Sequence, residues 1–233
     1  MNSQKTINQK IITLYRQWKD EIQVKTPYLM SEKFSNIFCT GVLDDWCTSD
    51  VRILILGEEA TWQSRNNYSY TDETELQECQ QWNMNDIKTK LQRNEKNTPF
   101  WRRVFAIREA FPNASFCWTN IDCINTDKGE KLYEKDRKAL HSCDTRLVRE
   151  LVDCINPTHI VFFGWHDTSL IHEFPELCSV VYPEKFGDTK FLKENGYIVK
   201  TEYNRKKVVF TYHPSWPKAN SDAYIERLIE MLL

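Results

Sequence analysis

Residues 51–60 read VRILILGEEA, and this stretch decides the fold class. It holds an apolar run from Val51 to Leu56, interrupted only by Arg52, and the run ends at Gly57. A short apolar run without regular polar alternation predicts a strand that is buried on both faces. Such strands occur mainly in parallel sheets that are covered by helices on both sides, so an α/β fold is expected.

Three more segments predict strands of the same sheet. They are ASFCWTN, which stops at Asn120, THIVFFG, which ends at Gly164, and KVVFTYHP near the end of the chain. The sequence signal for a further short strand near Ile198 is weaker. Because helical patterns separate these segments, we expect a three-layer α/β/α sandwich around a central, mostly parallel sheet of four strands.

Helical spacing of apolar residues predicts the layers around the sheet. The predicted helices run from the N-terminal region to about Val24, from Pro99 to Phe111, over 134–155, and onward from Ser221 as the N-cap. The polar segment 62–97 is interpreted as an insertion that is helical from about 73 to 93. We expect one domain over 1–233, with 1–50 as an N-terminal helical region.

Composition limits the class of protein. The chain has 233 residues, of which 41% are apolar, and its net charge is −2. Such a chain has no global positive field, so contact with nucleic acid must depend on a local patch. The polar N-terminus lacks an apolar signal segment and no stretch is long enough to span a bilayer, so a cytoplasmic protein without membrane contact is expected. We also expect a monomer. The eight cysteines include no CxxC pair, which favours reduced thiols.

Polar residues follow the predicted strands. These strand ends read Gly57-Glu58-Glu59, Asn120, Gly164-Trp165-His166 and His213-Pro214-Ser215. Ligands of open parallel sheets bind outside the carboxyl ends of the strands. A carboxylate, an amide and an imidazole are therefore expected at one edge.

Five segments, taken in order, resemble the uracil-DNA glycosylase superfamily, most closely the bacterial and archaeal branch whose members often carry an iron–sulfur cluster. They are ILILGEEA, TPFWRRVFAIREAF, SFCWTNIDCIN, CDTRLVRELVDCINPTHIVFFG and VFTYHPSWPKAN. The resemblance covers residues 51–233. The family's first motif usually continues as Glu-x-Pro-Gly, whereas this chain has Glu58-Glu59-Ala60-Thr61, and its segment between Gly57 and Pro99 is much longer.

This resemblance implies an enzyme that hydrolyses the N-glycosidic bond of uracil, or of another altered base, in single- or double-stranded DNA. Such enzymes flip the nucleotide out of the stack before the bond breaks. Glu58, with Glu59 as second candidate, would stabilise the cationic sugar and orient water. His213 would donate a hydrogen bond to the departing base anion.

Binding roles follow from the same resemblance. Asn120 would read the N3–H and O4 edge of uracil, and Phe100 would stack on the flipped base. Gly57 and Glu59 complete the predicted base-binding set. Contacts with the DNA strand are expected from three residues near His213, with Trp216 as a wedge and with Ser215 and Lys218 on flanking phosphates.

The cofactor prediction is none. Cys39, Cys47, Cys123 and Cys143 occupy regions loosely comparable to the family's iron–sulfur ligands, but the first pair is far wider than CxxC. Cys143 also lies on the apolar stripe of its helix, where a cysteine usually acts as a small hydrophobe. A cluster therefore stays the minor alternative.

Two other functions remain open. One is a nucleic-acid or nucleotide binder that has kept the fold without catalysis. The other is a protein-interaction module whose contact surface is the Asn-rich insertion.

Overall fold

The computed structural model describes residues 3–25, 36–59, 73–125, 134–163, 198–216 and 221–233. The helices are α1 (Gln4–Lys25), α2 (Glu73–Arg93), α3 (Pro99–Ala110), α4 (Glu134–Ile155) and α5 (Asp222–Leu232). The strands are β1 (Asn36–Ile37), β2 (Arg52–Glu59), β3 (Ser115–Asp122), β4 (Ile124–Asn125), β5 (His159–Phe163), β6 (Ile198–Tyr203) and β7 (Lys206–Thr211). None of these helices is long and apolar enough to cross a membrane.

The central sheet has the strand order β3-β2-β5-β7-β6. β2, β5 and β7 are parallel, and β6 is antiparallel to β7. The predicted α/β fold with a mostly parallel sheet is confirmed, but the predicted count of four strands is wrong, since the described residues form five. β6 is the strand near Ile198 that was not counted, because an edge strand of six residues with two exposed polar positions has a weak apolar signal.

A tight turn joins β6 to β7. Asn204 and Arg205 have φ values of 48° and 64°, so both central residues of the turn adopt the left-handed conformation. Two such residues in succession are typical of the hairpin turn whose twist matches that of the flanking strands. The turn therefore fixes the antiparallel register, in which Tyr203 pairs with Lys206.

Two strands continue past their predicted ends. β2 runs to Glu59 rather than turning after Gly57, and β3 runs to Asp122 rather than stopping at Asn120. In β3 the two residues after Asn120, Ile121 and Asp122, remain buried, so the strand continues past the polar pair Thr119 and Asn120. Asn120 is thus an internal strand residue.

Helix ends follow the sequence signals. The side chain of Thr98 accepts from the backbone N–H of Trp101 at the start of α3, and Ser221 does the same for Tyr224 at the start of α5. α4 ends before Asn156, which has φ 50°. The predicted helices over 134–155 and over 73–93 of the insertion are confirmed.

The chain divides into two compact units. The first consists of Met1–Cys47, Glu58–Lys88 and Cys117–Asn156, and the second of Thr48–Gly57, Thr89–Phe116 and Pro157–Leu233. In the first unit, the indole N–H of Trp18 in α1 donates to Asp144 in α4 over 2.8 Å, and both side chains are buried. In the second unit, α3 and α5 pack with β5, β7 and β6 around buried valine and phenylalanine side chains.

Candidate functional site at the carboxyl ends of β2, β5 and β7

Three predicted site residues of the second unit lie around Phe163, the last residue of β5. Gly57 in β2 pairs with Phe163 on one side, and Thr211 in β7 pairs with it on the other. The ring of Phe100 meets the ring of Phe163 edge to face, with 5.5 Å between centroids. Because His213 follows Thr211 by two residues, Gly57, Phe100 and His213 share one edge of the sheet.

His213 is held by its own loop. The backbone N–H of Ser215 donates to Nδ1 of His213 over 3.2 Å, and the Ser215 hydroxyl lies 2.6 Å from the same nitrogen. A ring nitrogen that accepts a backbone N–H carries no proton, so the neutral imidazole has its proton on Nε2. The ring therefore presents a donor at Nε2. The Ser215 amide, which was predicted to hold a phosphate, is engaged by this imidazole.

Trp216, the predicted DNA wedge, packs within the protein. Its ring stacks on that of Tyr212 at 4.2 Å and meets Tyr224 edge to face at 6.3 Å. Its backbone N–H also donates to the carbonyl of His213, which closes the turn. Insertion into DNA would require Trp216 to leave the Tyr212 stack.

Asn120 belongs to the first unit and is only 2% exposed. The indole N–H of Trp118 donates to Oδ1 of Asn120 over 3.2 Å. Since an indole is only a donor, the amide oxygen must be the atom that faces it. Nδ2 of Asn120 has no hydrogen-bond partner within the described ranges. A buried amide nitrogen in this state is costly, and such groups often mark functional positions.

Arg103 is a site residue that the sequence reasoning missed. Its side chain is 0% exposed, and its guanidinium donates to the carbonyl of Tyr212 over 2.5 Å. Arg103 lies three positions after Phe100 and four before Ile107, on the apolar stripe of α3. That position on the stripe is the signal that could have predicted its burial.

Tyr224, in α5, was missed as well. Its hydroxyl accepts from the backbone N–H of Tyr212 over 3.1 Å and lies 2.5 Å from the hydroxyl of Thr211. Burial is the largest cause that raises the pKa of this phenol. The sequence predicts only a helix at Tyr224, because the polar partners of its hydroxyl lie on a different element.

Several predicted residues have no described side-chain geometry. The backbones of Glu58 and Glu59 form the last two residues of β2. Their side chains lie outside the described part of the structure, as do Lys218 and the predicted strand end at 164–166. The catalytic role assigned to Glu58 thus stays a prediction.

The cysteines named by the resemblance do not gather into one metal site. Within the described ranges, no group of three or more His, Cys, Asp or Glu side chains is arranged to hold a metal ion. Burial raises the pKa of the Cys39 and Cys123 thiols well above the usual value, so both are held as neutral thiols. Cys143 instead hydrogen-bonds to Glu21. The structure thus shows no arrangement of these four cysteines that would hold an iron–sulfur cluster.

Comparison with known protein families and with curated proteins finds no match to this chain.

Proposed function

We propose that this protein is a DNA glycosylase that hydrolyses the N-glycosidic bond of uracil or of another altered base. The observation that carries the proposal is the hydrogen bond from the Ser215 amide to Nδ1 of His213. It leaves a neutral ring whose Nε2–H can donate to the oxygen of a departing base. Such a donor stabilises the negative charge that develops on the base as the C–N bond breaks.

The position of Phe100 supports the proposal. Its ring has edge-to-face contacts with Trp101 and Phe163, both at 5.5 Å between centroids, so its orientation is held beside the edge that carries His213. Stacking on an aromatic ring is a common way for a protein to hold an extruded base, and each such contact contributes roughly 1 to 3 kcal/mol. Phe100 is accordingly assigned to base stacking.

The roles of the other predicted site residues are those that the family resemblance implies. Glu58 would stabilise the cationic sugar and orient the attacking water, with Glu59 beside it. Asn120 would read the base edge. Trp216 and Lys218 would contact the DNA strand.

Base release is the direct test. Oligonucleotides that carry a single uracil, hypoxanthine or mismatched thymine, as single strands and duplexes, are incubated with the purified protein, and abasic sites are detected by alkaline cleavage. We expect release without an added cofactor, and a loss of about 10²- to 10³-fold in His213→Ala because an electrostatic donor is removed. Glu58→Ala should lose activity as well.

His159→Gln is a matched control. It removes an imidazole at the start of β5, at the opposite end of that strand from Phe163, and should leave base release unchanged. If the wild-type protein leaves every altered base in place, the glycosylase proposal fails.

One observation favours the second candidate function, a non-catalytic nucleic-acid binder. β2 continues through Glu59, so the backbone after Gly57 is extended where the family's motif forms a short loop that positions water. A binder would retain DNA with an affinity that falls as salt rises, and would form no abasic product. A protein-interaction module would bind no DNA even at low salt.

A further inference from the structure

Arg103 lies where a charged side chain is costly. The guanidinium is enclosed by aromatic rings, since its central carbon lies 5.0 Å from the centroid of Phe163 and 5.4 Å from that of Tyr224. Burial lowers the pKa of this guanidinium to about 10. A cation is retained in an apolar interior only where its hydrogen bonds matter.

Those hydrogen bonds converge on the backbone that leads to His213. The carbonyl of Tyr212 accepts from Arg103, and the N–H of Tyr212 donates to the hydroxyl of Tyr224. The guanidinium also lies 3.5 Å from the hydroxyl of Thr211. The peptide groups on both sides of the Tyr212 Cα are therefore held, which fixes the direction in which the chain leaves β7.

The same helix positions Phe100. Arg103 follows Phe100 by three residues in α3, so the two side chains lie on one face of the helix. Both contact the ring of Phe163. A continuous set of contacts thus joins the predicted base-stacking ring to the strand end that carries the imidazole.

We propose that Arg103 is a positioning residue, which holds the Tyr212 peptide so that the imidazole of His213 faces the base stacked on Phe100. This inference rests on the glycosylase function proposed above. Arg103 touches neither base nor sugar; it acts through the backbone of Tyr212. Removing it should impair the chemical step more than substrate binding.

The test compares four variants in the full chain. Arg103→Met removes the charge and keeps a side chain of similar length, and Arg103→Lys keeps one donor for the Tyr212 carbonyl. Tyr224→Phe removes only the hydroxyl that holds the Tyr212 N–H. Arg102→Met is the matched control, because Arg102 is exposed on the same helix.

The first readout needs no activity. In the ¹⁵N spectrum of the imidazole, a single tautomer has two well-separated nitrogen shifts, and exchange between tautomers brings them together. His213 is assigned from the signals missing in His213→Ala. We expect well-separated shifts in the wild type and Arg102→Met, and converging shifts in Arg103→Met and Tyr224→Phe, with Arg103→Lys between them.

The second readout is kinetic. For uracil release, kcat should fall by about 10²-fold in Arg103→Met, since a small misplacement of a catalytic group costs about that much, while KM changes little. Either wild-type nitrogen shifts or a wild-type kcat in Arg103→Met would overturn the inference. If Arg103→Met does not fold, Tyr224→Phe decides in the same way. If the shifts converge in Arg103→Met and the wild-type protein releases no base, the positioning of His213 is upheld and the glycosylase function is refuted.

Discussion

Trp118 donates its indole N–H to the amide oxygen of Asn120, two residues further along β3, and so fixes which end of that amide is free. The other end is Nδ2, a donor that has no hydrogen-bond partner among the residues that the structure describes. A donor pairs with the O4 carbonyl of uracil and is mismatched with the 4-amino group of cytosine. Trp118 therefore orients the side chain to which base reading is assigned.

Trp118→Phe tests this orientation. The change keeps a ring for the contact with Phe38, whose centroid lies 4.7 Å from that of Trp118, and removes the indole N–H together with part of the ring. The amide of Asn120 is then free to turn over. We expect kcat/KM for uracil to fall about tenfold, in line with the loss of one buried hydrogen bond, and the preference for uracil over cytosine to narrow. An unchanged ratio between the two bases would contradict the assignment.

Trp216 should matter more for duplex than for single-stranded DNA. Only a duplex needs a side chain to fill the gap left by the extruded base. We expect Trp216→Ala to lower kcat/KM for uracil in a duplex by about tenfold and to change the single-strand value much less. Trp82→Phe, at a position that is 44% exposed, is the control for loss of an indole. Equal losses on both substrates would show that Trp216 acts through its stack on Tyr212.

His159 should make folding stability depend on pH. Burial, and then the charge of Lys207, lower the pKa of His159 from its usual 6.5 to about 4. Because the unfolded chain binds the proton more readily, His159 contributes stability above pH 6.5 that is lost as pH falls toward 4. The loss is complete below about pH 4, where His159 is protonated in both the folded and the unfolded chain.

Urea unfolding across this pH range measures the effect. The free energy of unfolding of the wild type should fall more steeply with decreasing pH than that of His159→Gln. Parallel curves would mean that the imidazole titrates alike in the folded and unfolded chains.

Trp46 anchors the end of α4 in the first unit. Its indole N–H donates to the carbonyl of Ile155, the last residue of that helix, over 2.8 Å, and its side chain is buried. Trp46→Phe should lower the free energy of unfolding by about 1 to 3 kcal/mol, since a buried carbonyl loses its partner and the smaller ring leaves a cavity. Trp82→Phe, an exposed indole on α2, should change it by less than about 0.5 kcal/mol. Similar values for the two variants in urea unfolding would refute this anchoring role.

The sheet could largely be predicted because local apolar runs indicate buried strands. β5 and β7 follow from IVFF and VVF alone. The ends of β2 and β3 could not be predicted, because the end of a strand depends on hydrogen bonding and packing with neighbouring strands that are distant in the sequence. Asn120 looked like a strand end when read alone, yet buried residues on both sides continue β3.

The candidate site could be predicted where one local motif contains both partners of a hydrogen bond. His213 and Ser215 are two residues apart, so the bond between them belongs to the motif itself. Arg103 could not be predicted in the same way, because its acceptor at Tyr212 lies 109 residues further along the chain. Only the fold brings α3 against β7.

β6 has a consequence for how the protein behaves in concentrated solution. Among the strands of the described ranges it is the last in the order of the sheet, and an edge strand offers backbone hydrogen-bonding groups to another extended chain. Lys200 and Glu202 are exposed on it, two residues apart and therefore on the same face. Docking another strand against β6 would crowd these charges, so the two side chains protect the edge of the sheet against aggregation.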